Sequence, residues 1–191
     1  MTDDGHLLFD TPIGRCGLAW RDGAIAALQL PEPDDARTLR RMLRHLTATG
    51  PTPPRVTPDQ APDWVRDVIA QVGALLAGQP QRLQDVPLDL RGLPDFACQV
   101  YALSRTIAPG RTLTYGEIAR RLDAPGAARA VGRALGANPF AIIVPCHRVL
   151  AANGRSGGFS ADGGARTKLA LLALESPRDT PPEDDLFGWR T

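Results

Sequence analysis

TYGEIARRLDAPGAARAVGRAL, residues 114–135, carries two helix starts with one turn between them. Thr114 and Glu117 stand three apart just before Ile118. That is capping-box spacing, in which hydroxyl and carboxylate satisfy the first free amides of a short helix running through Leu122. Asp123-Ala124-Pro125-Gly126 stops the helix, because proline lacks an amide hydrogen and glycine accepts left-handed dihedrals. Residues 127–135, rich in Ala and Gly, read as a second helix. Short helix, tight turn and small-residue helix make up the helix-turn-helix order. Such a motif lays its second helix in a DNA groove, and here Arg129 and Arg133 share one side of it. Ala127, Ala130 and Ala134 would let the backbone approach a duplex closely. A plain helical hairpin in an enzyme core has the same local pattern, so this segment alone leaves both readings open.

Downstream, Asn138-Pro139 precedes residues 140–144, Phe-Ala-Ile-Ile-Val, expected as a short buried strand running into Pro145-Cys146-His147-Arg148-Val149. A cysteine beside a histidine is a candidate nucleophile, since imidazole can take the thiol proton directly or through one water. Neighbouring residues of a strand point to opposite faces, so the pair needs a bridging water or a sharp bend. A buried cysteine taken singly is equally compatible with inert core.

Upstream, a helix begins at Pro94 or Asp95, carries Phe96, Val100, Leu103 and Ile107, and is ended by the Pro109-Gly110 turn. Residues 83–93 read as an extended segment leaving an earlier unit. That unit starts with strands at 7–13 and 16–20, an Asp22-Gly23 hairpin turn, and a strand at 24–30. Asp34 caps a helix that buries Leu39, Met42, Leu43 and Leu46, with Arg40, Arg41 and Arg44 on or beside its wet face. Pro51, Pro53, Pro54 and Pro58 make residues 50–62 a connector. A second helix at 63–76 buries Trp64, Val65, Val68, Ile69, Val72 and Leu76. The expected fold is therefore α/β, of the α+β kind: a small antiparallel-sheet domain over 1–90, a mainly helical domain over 91–175, and a polar, Pro-rich, loosely held tail over 176–191.

With 191 residues, 43% hydrophobic and 23% charged, the chain can build its core without metals or disulfides. The apolar run at 140–145 is far short of the roughly 20 residues of a membrane span. The acidic start, Met1-Thr2-Asp3-Asp4, is unlike a basic secretory leader, and the expected location is cytoplasmic. Cys16, Cys98 and Cys146 lack C-x-x-C spacing. Lys168 is the single lysine among 22 basic residues, a bias expected of a GC-rich genome. Residues 91–175 hold eleven Arg or Lys against five Asp or Glu, a net of +6, leaving −5 for the rest. A basic half beside an acidic one suggests nucleic acid on the basic side, although a solvated surface has the same imbalance.

Together, Pro145-Cys146-His147-Arg148-Val149, Asn138-Pro139, Arg129-Ala130-Val131-Gly132 and Thr114-Tyr115-Gly116-Glu117-Ile118-Ala119 closely resemble the O6-alkylguanine-DNA alkyltransferases, or methylated-DNA-protein-cysteine methyltransferases. The resemblance is strong over 93–175. Over 7–88 it rests on the order of elements, similar to the ribonuclease-H-like domain of that family, and it makes the second domain winged-helix-like.

The resemblance implies single-turnover repair of double-stranded DNA containing O6-alkylguanine, by a monomer without cofactor, with O4-alkylthymine a further candidate substrate. Cys146 would accept the alkyl group, His147 would activate it through a water, and Glu175 would orient the histidine. Tyr115 would protonate the departing guanine and, in contact with DNA, crowd the phosphate during flipping, while Arg129 would fill the gap left by the flipped base. Asn138 would hold the turn near the thiol. Pro145, Val149, Phe159 and Ser160 would line the pocket, with the carbonyls of Cys146 and Val149 reading the guanine amino group and the loop 153–160 closing over it. Ala130 and Arg133 would face DNA, with Arg133 and Arg148 as lesser phosphate contacts.

The sequence departs from the family at Phe96-Ala97 and Val100-Tyr101, where Phe-Gln and Val-Trp pairs are common, and between Phe159 and Lys168, where the chain is slightly longer. Some members hold zinc in the first domain; Cys16, His6 and His45 form no matching cluster, and no metal is expected. Three rivals remain at this level: a lesion-binding relative without transfer, against which Cys146 itself speaks, a turning-over cysteine hydrolase, and a DNA-binding regulator.

Overall fold

The computed structural model describes residues 4–81, 83–152 and 163–175. Strands β1 (Gly5–Thr11), β2 (Gly14–Arg21) and β3 (Ala24–Gln29) form an antiparallel sheet in that order. The Asp22-Gly23 turn has φ of 48° and 74°, the left-handed pair that matches the twist of a two-residue hairpin.

The sheet has a large-residue face and a small-residue face. Leu7, Phe9, Cys16, Leu18, Trp20, Ile25 and Leu28 point into the main core. Ala19, Ala26 and Ala27 point the other way, where helix α1 (Asp35–Thr49) lays Met42 and Leu46 on them. Ala26 is the extra residue of a bulge, since Trp20 pairs with Ile25 and Ala19 with Ala27. Asp34 caps α1 as expected, accepting from the Arg37 amide at 2.7 Å. Helix α2 (Asp63–Leu76) covers the large-residue face with Val65, Val68, Val72, Leu75 and Leu76.

Helix α3 (Asp95–Arg105), strand β4 (Leu113–Thr114), helix α4 (Tyr115–Arg121), helix α5 (Ala128–Gly136), strand β5 (Val149–Leu150) and helix α6 (Ala165–Glu175) follow. The core continues into them through Val100, Tyr101, Ile118, Val131, Leu135, Val144 and Leu171, with no break near residues 88–93. Backbone bonds also join the two parts: the Leu28 amide donates to Pro139 O at 2.8 Å and the Ala141 amide to Leu28 O at 3.1 Å.

Four expectations need correction. Residues 140–144 are not a strand but a folded loop with two isolated bridges, Leu28 to Phe140 and Ala141 to Val144. Helix α3 ends at Arg105, before Pro109-Gly110; a proline disfavours helical dihedrals at the residue before it, so the chain leaves the helix early. Its buried stripe is Ala97, Val100, Tyr101 and Ser104, with Phe96 and Leu103 only half-buried. Ala134 faces the core instead of a duplex, and its carbonyl accepts from the buried Tyr101 hydroxyl at 2.9 Å. Among the described residues, no helix is long and apolar enough to cross a membrane.

Candidate active site

The loop before Cys146 is bent by its own polar groups. Asn138 Oδ1 accepts the Phe140 amide at 2.9 Å, and Asn138 Nδ2 donates to Val144 O at 3.1 Å. Between them Ile142 sits at φ 72° while the Ile143 amide donates to Ala141 O at 2.9 Å, a γ-turn. A β-branched residue held at such a dihedral costs about 1–3 kcal/mol and persists only where its surroundings enforce it. A second γ-turn follows around Pro145 (φ −79°, ψ 66°), closed by the Cys146 amide on Val144 O at 2.8 Å. Cys146–Arg148 then form a single 3₁₀ turn with all three side chains buried. Here is the sharp bend that a Cys-His pair requires.

Glu175, the last residue of α6, closes the site from the far end of the chain. Its Oε1 lies 2.8 Å from His147 Nε2 and 2.7 Å from Arg148 Nη2, and its Oε2 accepts from Arg148 Nε at 2.9 Å. Arg148 Nη1 donates to Ile107 O at 2.5 Å. Arg148 is thus a buried clamp with its fork consumed inside the protein, which removes it from the phosphate contacts expected from sequence. Burial alone would raise the Glu175 carboxyl, but the hydrogen bonds from His147 and Arg148 prevail and bring it to about 2. With that carboxylate ionised, the imidazole hydrogen belongs on Nε2, leaving Nδ1 a bare lone pair. Nδ1 is buried and has no partner among the described residues. Burial holds the imidazole below its ordinary pKa against the pull of Glu175, so at neutral pH it is a neutral base.

Burial also raises the Cys146 thiol, while the Asn138 side chain, the Lys168 charge and backbone amides act in the opposite direction. The resting group is therefore a protonated thiol in a setting prepared for its anion. Cys16 differs: it is buried in the sheet and pushed up to about 12 by desolvation, and Thr11 Oγ1 is at hydrogen-bonding distance from its sulfur at 3.8 Å. Cys98 lies half-buried on α3.

Tyr115 reaches this site through a two-residue ladder. β4 pairs in parallel with β5, Leu113 beside Val149 and Thr114 beside Leu150, so the residue following β4 arrives next to the chain leaving the Cys-His turn. The capping box is formed, with Thr114 Oγ1 accepting the Glu117 amide at 3.1 Å and Glu117 Oε2 accepting the Thr114 amide at 2.6 Å. Burial raises the Tyr115 phenol above its ordinary range, which keeps it a proton donor at neutral pH.

Sequence reasoning missed Lys168. It is wholly buried on α6, donates to Val149 O at 2.6 Å, lies 3.4 Å from Tyr115 Oη and sits 5.6 Å from the centre of that ring. Burial lowers its pKa to about 8. The signal was present in the composition: in a chain that otherwise uses arginine throughout, the one lysine marks a place where a guanidinium will not serve. The Val149 carbonyl, expected to read guanine, thus already accepts from Lys168, and the Cys146 carbonyl accepts the Val149 amide. Each retains a second lone pair.

On α5, Arg129 and Arg133 are exposed one turn apart and Ala130 is half-buried. A Cβ on Gly132 would lie 3.9 Å from the Tyr115 ring, so α5 rests against that residue. Phe159 and Ser160, with the rest of the loop 153–160, lie outside the described residues. Among the described residues no three His, Cys, Asp or Glu side chains are grouped to hold a metal ion.

Known proteins resemble this chain in sequence and in fold. The profile of the 6-O-methylguanine DNA methyltransferase DNA-binding domain matches residues 95–177. A methylated-DNA–protein-cysteine methyltransferase of Mycolicibacterium paratuberculosis is 40% identical over 93% of this chain and 95% of its own length. One from Mycobacterium bovis is 44% identical over 87% and 95%. A crystal structure of Mycobacterium tuberculosis OGT in complex with DNA superposes with a TM-score of 0.69 at 38% identity, covering 90% of this chain and 92% of that one. Identity of this extent along nearly the whole of both chains, together with the mixed α/β architecture and the Cys-His-Glu site, means that the chain belongs to the methylated-DNA–protein-cysteine methyltransferases, transferases that repair DNA by alkyl transfer.

Proposed function

We propose that Cys146 is the alkyl acceptor and that its substrate is O6-alkylguanine flipped out of double-stranded DNA. The observation that carries the reading is the buried thiol on a 3₁₀ turn, next to an imidazole whose Nε2 is fixed by Glu175 and whose Nδ1 is free of partners among the described residues. His147 Nδ1 takes the thiol proton through a water, and the sulfur attacks the alkyl carbon. The S–C bond forms as the O6–C bond breaks, the electron pair passes into the guanine, and Tyr115 supplies a proton to a ring nitrogen; the imidazolium then gives up its proton and Tyr115 regains one through water, so that the net transfer is one proton from thiol to base. The thioether has no leaving path, which makes each molecule react once without cofactor.

Asn138 holds the loop and the thiol. Lys168 supports the developing thiolate and fixes Tyr115 and the Val149 carbonyl. Pro145, Val149, Phe159 and Ser160 line the pocket, while Ala130, Arg129 and Arg133 meet the duplex, Arg129 filling the vacated stack. A thiol buried in the protein cannot reach the O6 substituent of a stacked guanine, so chemistry there requires extrusion at a cost of a few kcal/mol.

The same reading assigns residues 1–90 to a ribonuclease-H-like domain, 91–175 to a winged-helix-like DNA-binding and acceptor domain, and 176–191 to a tail, in a cytoplasmic monomer. Intact-mass measurement after incubation with duplex DNA containing O6-methylguanine tests it: one methyl per chain, mapping to Cys146, is expected. Methyl on Cys16 or Cys98, or turnover beyond one equivalent, would overturn it. Cys146→Ser should abolish transfer while leaving lesion binding, because the hydroxyl is far less acidic than the thiol.

A further inference from the structure

We propose that the outward face of α1 is a second contact for DNA phosphates, separate from α5 and reaching a different stretch of duplex. Arg37, Arg40, Arg41 and Arg44 lie within an arc of about 100° on this helix and along about 10 Å of its axis, at 3.6 residues per turn and 1.5 Å per residue. The arc is opposite the buried Thr38, Met42 and Leu46. Arg37, Arg40 and Arg44 are exposed and Arg41 partly so. Two of the four are tied to neighbours: Arg37 Nε to Asp34 at 3.3 Å, and Arg41 Nη1 to Glu32 at 2.9 Å. The guanidinium groups of Arg40 and Arg44 have no hydrogen-bond or ion-pair partner among the described residues.

The charge is segregated. Residues 1–90 carry nine Arg against twelve Asp or Glu, yet α1 alone holds four of those Arg and one acid, Asp35. Asp35 is itself engaged by Arg15. A basic stripe standing in an acidic half is a local field that attracts polyanions, and the polyanion this family handles is DNA.

Position argues for a second segment. α1 covers the small-residue face of the sheet, whereas α5 belongs to the core on the other face. The arginine arc of α1 faces away from the sheet and its buried side chains, which on this proposal leaves it to a neighbouring or looped segment of duplex instead of the one seated on α5.

The test uses the full chain and an undamaged, end-labelled duplex of about one helical turn. At low salt the wild type should bind two duplexes, and the weaker site should lose about tenfold in affinity between about 50 and 200 mM salt, as expected for two phosphate contacts. R40E/R44E should retain one duplex and the wild-type single-turnover transfer rate, and R40A/R44A should weaken the second site without reversing its charge. Helical circular dichroism confirms that each variant is folded. One duplex per wild-type chain, two duplexes on R40E/R44E, or an equal loss at both sites would overturn the proposal. So would self-association that R40E/R44E abolishes in the absence of DNA, which would make the stripe a protein contact.

Discussion

His147 Nε2 lies 2.8 Å from Glu175 Oε1 across 28 residues of sequence, and that carboxylate also takes both remaining bonds from the Arg148 fork. The arrangement separates two tasks. Arg148 neutralises the buried carboxylate, so the imidazole has no need to be charged to satisfy it. His147 can then wait as a neutral base with its hydrogen directed to the carboxylate and its other nitrogen available.

Arg148→Ala should therefore destabilise the fold by about 3–5 kcal/mol, the usual effect of stranding one member of a buried ion pair. The substitution also leaves Ile107 O without its donor. Arg148→Lys should recover only part, since an ammonium cannot bridge both carboxylate oxygens and the carbonyl at once. Urea denaturation measures this directly. A variant of wild-type stability with weakened DNA binding would return Arg148 to the role of phosphate contact.

Stability should carry the mark of Glu175 at acid pH. Its folded pKa of about 2 is below the ordinary 4.5, so between those values the unfolded chain binds more protons and stability rises with pH. The contribution is complete above the ordinary value and is lost as pH falls toward 2. Glu175→Gln should flatten that part of a pH series of unfolding midpoints and slow transfer. An unchanged acid limb would show that the carboxylate does not titrate in this window.

How far these relationships were legible beforehand depended on the range of the interaction. The capping box at Thr114 and Glu117, the Asp34 cap and the Asp22-Gly23 turn are local chemistry, and each stands where the residues imply. The Cys146-His147 pair was legible as a candidate nucleophile and base, and both side chains are buried on one 3₁₀ turn. Residues 140–144 misled because an apolar run of Phe, Ile and Val resembles a strand until Asn138 takes both a backbone amide and a carbonyl from it, a competition that hydropathy does not contain. Arg148 and Lys168 were misread or overlooked for another reason. A cation is presumed wet unless its partner is known, and these partners are far away in sequence: Glu175 and Ile107 for Arg148, Val149 and Tyr115 for Lys168.

Lys168→Met keeps the bulk of that side chain and removes its charge. It should raise the Cys146 pKa and slow single-turnover transfer by about tenfold, the equivalent of one pKa unit. In the wild type, the support Lys168 gives to the thiolate fades as pH rises through about 8, where the ammonium titrates. The pH–rate profile should bend there, and the bend should be absent from Lys168→Met. A purely structural lysine would change the amplitude of the profile without moving the bend.

Arg129 distinguishes base extrusion from simple groove binding. If its side chain fills the vacated stack, Arg129→Ala should slow transfer from duplex DNA substantially while barely affecting reaction with free O6-benzylguanine, provided the pocket admits that base. The free base needs no unstacking, so loss of the plug is felt only in the duplex, where a few kcal/mol are at stake. An Arg129 that merely pairs with a phosphate predicts a uniform weakening relieved at low salt. Its exposure on α5, one turn from the exposed Arg133, is compatible with either behaviour, so the rates must decide. Single-turnover rates for both substrates, at saturating protein over a range of salt, separate the two accounts. Equal losses on duplex and free base would mean that Arg129 supports the pocket itself, and the flipping role would fall.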